Sequence, residues 1–196
     1  AMARPIVNPG QVFWTGQHWI NYLRVPGATA DSGRVSVWHT HYCAAGEGTV
    51  VYVDIPGDPG LRAVCTDNRD LAAFVDGWVR DLPGPYQIDV VHDAVVHREG
   101  SIDAAPAWVV ETEGATVSTT WSNLEAPVVL EAPAPMFKPN QDVDSHLLFT
   151  DEAAIRIGDR QIEGEPYRRD IWQQSIGGER SSCLVALSET FIEVPS

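Results

Sequence analysis

At 196 residues the chain is long enough for one domain (1–196) with a substantial core that needs no disulfide or metal staple. Its 27 acidic and 13 basic residues leave a formal charge of −14, which repels phosphate backbones and anionic headgroups and argues against nucleic-acid and membrane-surface partners. The cysteines (Cys43, Cys65, Cys183) are scattered without C-x-x-C spacing and read as buried reduced thiols. The absence of an apolar leader at the N-terminus and of any run near the ~18 apolar residues of a membrane span adds to a cytoplasmic expectation.

In chain order, residues 11–25 are aromatic and β-favouring, and predict a strand interrupted near Gly16, with His18 on the face of Val12, Trp14 and Ile20. Residues 35–42 form the next strand. Alternation places Val35, Val37, His39 and His41 on one face, and Ser36, Trp38, Thr40 and Tyr42 on the other. A turn at Gly46-Glu47-Gly48 leads into a strand over 49–55, which the Pro/Gly run at 56–60 ends. One amphipathic helix is expected near 68–82. Asp67 caps it, Leu71, Phe74, Val75, Trp78, Val79 and Leu82 recur at three- and four-residue spacing, and Pro83-Gly84-Pro85 stops it.

Strands are expected over 86–98 and 108–121, the latter broken by a turn at Glu113-Gly114, and the Pro-rich stretch 125–139 suits an edge strand or a long loop. Further strands are expected at 146–149, at 154–157 turning through Gly158-Asp159 into 160–163, and at 182–194. In the last, alternation groups Cys183, Val185, Leu187, Glu189 and Phe191, which makes Glu189 a lone acid among apolar neighbours. So many short strands with one helix predict a mainly β fold: a single antiparallel barrel, or a strongly curved sandwich.

His39-Thr40-His41 is the sharpest chemical signal, because two imidazoles at i and i+2 on a strand can converge on one ion. Here the chain resembles the first motif of the cupin family, a Gly, five residues, His-x-His, a short gap, Glu and then Gly: five residues separate Gly33 from His39, five separate His41 from Glu47, and nine separate Glu47 from Gly57. The resemblance implies a divalent metal on His39, His41 and Glu47. Both later gaps are longer than the family pattern, and no second motif follows, so a fourth ligand would have to come from elsewhere, such as His92, His97 or His146.

A metal-free reading pairs His39 or His41 with Glu189 on facing strands for proton transfer, burial having raised the carboxyl pKa. It needs no cofactor. Seven tryptophans favour an apolar cavity, with Trp14, Trp38, Tyr42 and Trp121 as lining candidates. Arg168-Arg169 beside Tyr167 could clamp a carboxylate or enolate oxygen, and Arg168 is taken as a ligand-binding candidate. The single lysine, Lys138, lies in a Pro-flanked loop and offers little for Schiff-base chemistry.

In strand layout and aromatic content the chain also resembles the lipocalin-like (calycin) barrels of the cyclase and hydratase type, most of all from Trp121 to Trp172 and Ser181-Ser182-Cys183-Leu184. That resemblance implies isomerisation, cyclisation or hydration of a hydrophobic small molecule inside a barrel. The function expected is an isomerase, cyclase or lyase using His39, His41 and Glu189. The alternatives are a cupin-like metalloenzyme and a non-catalytic carrier of an apolar ligand, with room in each case for a homodimer.

Overall fold

The computed structural model describes residues 10–134 and 137–195, which leaves the N-terminal residues 1–9 and Pro135 of the Pro-rich stretch outside the described residues. The first strand, β1 (Gln11–Leu23), pairs with β2 (Gly33–Cys43), and β3 (Gly48–Ile55) and β4 (Leu61–Thr66) extend the sheet outward. Helix α1 (Arg69–Val79) follows. The 86–98 segment, expected as one strand, divides at Ala94 into β5 (Val91–Asp93) and β6 (Val95–Glu99), which join different sheets. The hairpin β7 (Ala107–Glu111) and β8 (Thr116–Ser122) precedes β9 (Val128–Ala132), the edge strand carved from the Pro-rich stretch.

Next come β10 (Gln141–Thr150), β11 (Glu152–Ile157) and the short β12 (Arg160–Gln161). The tail holds β13 (Arg168–Arg169), a 3-10 turn (Asp170–Trp172) running into α2 (Gln173–Ile176), then β14 (Arg180–Ser181) and β15 (Cys183–Glu193). Eight strands form one sheet in the order β5-β4-β3-β2-β1-β15-β10-β9, and five form a second, β12-β11-β8-β7-β6. Neither sheet closes. The mainly β expectation holds in its curved-sandwich form, antiparallel throughout the two sheets except where β4 meets β5.

Each face of the large sheet has its own core. Val35, Val37, Val51, Trp19 and Val185 pack against Trp108, Val117, Trp121 and Ile155 of the small sheet. The other face gathers Trp14, Trp38, Tyr52, Val64, Leu130, Leu147 and Phe191 with Leu71, Val75 and Trp78 of α1. Val64 and Leu130 lie on strands near opposite edges of the sheet, so their presence in one cluster means the sheet curls around the helix. Trp78 fastens that curl by donating its Nε1–H to Gln141 Oε1 of β10 at 3.0 Å. Full burial of each large apolar side chain on α1 stabilises by roughly 1.5–3 kcal/mol relative to exposure.

Two bulges decide which side chains face which core. Against β10 and β1, β15 carries one extra residue near Leu187: Ala186 opposes Leu147 and His18, while Ser188 opposes His146 and Glu189 opposes Gly16. The extra residue reverses the alternation. Cys183 and Val185 therefore face the small sheet, whereas Leu184, Ala186, Glu189 and Phe191 turn to the helix side, so the single face expected for 183–191 does not form. On β2 the extra residue is His41, because Thr40 opposes Gly16 and Tyr42 opposes Thr15. Beyond Thr40 the expected alternation lapses, Tyr42 stands 56% exposed and Cys43 takes the helix-side face.

Candidate functional site

A row of polar side chains runs across the helix-side face. His18, on β1, is stacked on Trp38 of β2, with ring centroids 3.6 Å apart and planes at 17°. Trp38 is in turn held edge-on by Trp14 at 5.4 Å, and Trp14 donates its Nε1–H to Thr40 Oγ1 at 2.8 Å. The His18 ring is thereby fixed in direction. Its Nδ1 points toward Glu189 Oε1 at 3.7 Å, and its Nε2 lies 2.9 Å from Ser36 Oγ and 3.3 Å from Tyr86 Oη. Ser36 and Tyr86 close the triangle at 3.0 Å. Both hydroxyls can donate or accept, so the direction of the chain follows the His18 tautomer.

Burial sets the charge states. The Glu189 carboxyl is pushed up to about 7 because its ionised form loses hydration, with Ser145 opposite it on β10 countering part of the rise. Burial lowers His18 to about 3 for the matching reason, loss of hydration of the cation. A carboxyl poised near neutrality thus faces a neutral imidazole. Among the described residues, Glu189 Oε1 and Tyr52 Oη are buried without a partner at hydrogen-bond distance, while buried Ser145 Oγ and Tyr22 Oη have the Glu189 carboxyl and the Tyr86 hydroxyl as their respective neighbours, and all four residues belong to this face. Buried polar atoms are ordinarily paired with protein or water, so this concentration distinguishes the helix-side core from an inert one.

An open cleft of about 1150 Å³ lies on the other side of the large sheet, lined by His39, His41, Glu47, His97, Arg98 and Trp108 among others. His39 Nδ1 is 3.0 Å from Thr49 Oγ1, and its ring lies 5.0 Å from His41 and 5.1 Å from Trp108. Burial, with His41 alongside, lowers the His39 pKa. Among the described residues no three His, Cys, Asp or Glu side chains are grouped so as to hold a metal ion, so His39, His41 and Glu47 share a cleft without forming a ligand set.

The expected residues therefore divide between two places. His39 and His41 lie with the cleft, and Glu189 lies beyond the sheet beside His18, so the expected pairing of Glu189 with either cleft histidine is not formed. Trp14 and Trp38 frame the polar row, Trp121 is buried between the sheets donating to Ile20 O at 2.9 Å, and Tyr42 is at the surface. Arg168 is exposed and bound to Asp151 at 2.6 Å. Ser36, Tyr86 and the role of His18 escaped the sequence reading. Its one usable signal was His18 on the same strand face as Trp14 and Ile20. Cys43, Cys65 and Cys183 are free and buried, as expected, and burial raises all three thiol pKa values, Cys65 and Cys183 to about 12. No helix among the described residues is long and apolar enough to cross a membrane. No family model matches the chain, and neither a curated protein nor a solved structure matches it.

Proposed function

We propose that the chain is an enzyme acting on an apolar small molecule by acid–base chemistry without a cofactor, with Glu189 and His18 as its proton-handling groups. The observation that carries this reading is the buried Glu189 carboxyl facing neutral His18 at 3.7 Å, with His18 linked onward to Ser36 and Tyr86. A carboxyl with pKa about 7 is well matched to give and take a proton near neutral pH. In an isomerisation, Glu189 would pass its proton to a carbonyl or alkene, and a proton leaving the substrate elsewhere would return to the carboxylate or to His18 Nδ1. Protons then balance without an added reagent. The two side chains keep 11% and 8% exposure while Glu189 Oε1 itself is buried, so substrate entry requires the surrounding side chains to move.

The test is turnover. Wild type, Glu189→Gln and His18→Asn would each be incubated with an apolar metabolite extract and the mixtures compared by mass spectrometry. Conversion of one or more molecules by wild type, reduced at least about 100-fold in both variants, is expected. Equal conversion by the variants would sink the assignment, and retention of an unchanged molecule would identify a carrier instead. A second reading puts the chemistry in the outer cleft, favoured by its volume and by the adjacent imidazoles of His39 and His41. It is chosen if paired His39→Gln and His41→Gln substitutions abolish conversion that Glu189→Gln leaves intact.

A further inference from the structure

The outer cleft takes its lining from β1 and β2 of the large sheet, the turn before β3, the entrance of α1, and β6 and β7 of the small sheet. Val96, His97 and Arg98 all line it, although successive side chains on a strand point to opposite faces, so the cleft runs along the edge of β6. That edge is free. β6 is the last strand of the small sheet, with β7 on one side only, and among the described residues the backbone of 95–99 makes no hydrogen bond beyond β7. A free edge is a row of unpaired N–H and C=O groups, which matches the backbone of another extended chain.

Four side chains of fixed charge line the cleft, and two of them are occupied: Arg69 grips Asp93 at 2.6 and 3.0 Å, and Asp67 accepts the Thr49 amide at 2.7 Å. The other two, Arg98 and Glu47, are exposed, and among the described residues neither has an ion-pair partner. Arg98 stands on β6, whereas Glu47 stands on the β2–β3 turn, its carbonyl accepting the Asn68 side-chain amide at 2.9 Å. Both signs of charge reach His39: burial first and His41 second lower its pKa, Asp67 raises it and Arg98 lowers it. An anion would be opposed by Glu47 and Asp67, and a cation by Arg98. A ligand with one charge of each sign meets neither penalty, and a chain of net charge −14 does not repel it.

We infer that the outer cleft binds a short peptide in extended form along the free edge of β6, with its terminal carboxylate on Arg98 and its terminal ammonium on Glu47. Backbone pairing supplies affinity independent of the peptide's side chains, and the two end charges set its direction and length. The volume of about 1150 Å³ leaves room for several residues. This site is separate from the proton-transfer pair of Glu189 and His18, which lies on the other side of the large sheet.

Calorimetric titration of the full chain with trialanine, N-acetyl-trialanine and trialanine amide tests it, in wild type, Arg98→Gln, Glu47→Gln and Arg168→Gln. Wild type is expected to bind trialanine about tenfold or more tighter than either capped peptide, because each cap removes one charge-assisted bond. Arg98→Gln should abolish the preference over the amide and keep the preference over the acetylated peptide, and Glu47→Gln should do the reverse. Arg168→Gln, a surface arginine outside the cleft, should keep both. Hydrogen exchange of residues 95–99 should slow when wild type is saturated with trialanine, while that of the β9 edge strand stays as it was. No binding of trialanine, equal binding of either capped peptide, a preference that survives the loss of its own partner, or unchanged exchange at 95–99 would overturn the inference. All three substituted side chains are exposed, and the wild-type comparison decides even where a variant does not fold.

Discussion

Glu189 and His18 are displaced in opposite directions by one cause, loss of hydration around whichever form is charged. For Glu189 the native pKa of about 7 lies above the ordinary 4.5, so between those values the folded chain keeps a proton that the unfolded chain has released. Its stabilising share is complete below pH 4.5 and is lost as pH rises through about 7. Gln in its place cannot ionise. The melting temperature of Glu189→Gln relative to wild type should therefore climb between pH 4.5 and 8, by the equivalent of about 3 kcal/mol at most. A difference that stays flat across that range would mean the carboxyl is not raised. His18, depressed from 6.5 to about 3, works with the opposite slope, its share lost as pH falls, and is present in both proteins, so it largely cancels in the comparison. The buried face of β2 that carries Ser36 and Trp38 was legible in the sequence, and the row as a whole was not. Strict alternation placed Trp38 and Ser36 correctly, but the residue added near Leu187 moved Glu189 to the opposite face, and no local feature of 183–193 announces that bulge.

Among the elements, α1 was the most legible, since its apolar spacing survives into the structure as the buried set Leu71, Ala72, Val75, Trp78 and Val79. Its start shifts by one residue. Asn68, not Asp67, accepts from the Leu71 amide at 3.1 Å, and Asp67 instead accepts from the Thr49 amide at 2.7 Å, tying the helix entrance to β3. Asn68→Ala should cost about 1 kcal/mol in denaturant unfolding, and a value near zero would show the cap to be replaceable. The interruption expected near Gly16 is a register shift within a continuous strand. A Cβ on Gly16 would sit 2.1 Å from His39 O and 2.9 Å from Trp14 Cζ2, so only glycine lets β2 pass there. Gly16→Ala should destabilise by about 2 kcal/mol or more, read as an earlier unfolding midpoint together with a changed near-ultraviolet signal from the Trp14–Trp38 pair. The division of 86–98 between two sheets was out of reach for sequence patterning, because neither half differs in composition from an ordinary strand.

At the scale of the whole molecule, two cores back to back on one sheet account for the high count of apolar and aromatic residues, and the polar row occupies only one of them. The net charge of −14 opposes this compactness through self-repulsion. Raising ionic strength from about 10 mM to 150 mM should increase the melting temperature by a few degrees, since the screening length falls from about 30 Å to 8 Å. A drop would mean that ion pairs such as Arg69–Asp93 outweigh the repulsion. The pairing of β1 with β15 near the middle of the large sheet has a consequence in time. The strand at its C-terminal end must be available before the one at its N-terminal end gains its central neighbour, with nearly all the other elements lying between them. Until then β1 has β2 alone, and His18 and Glu189 are strangers. Closing that span costs chain entropy before the pairing rewards it, so His18 and Glu189 meet only once β15 has joined β1.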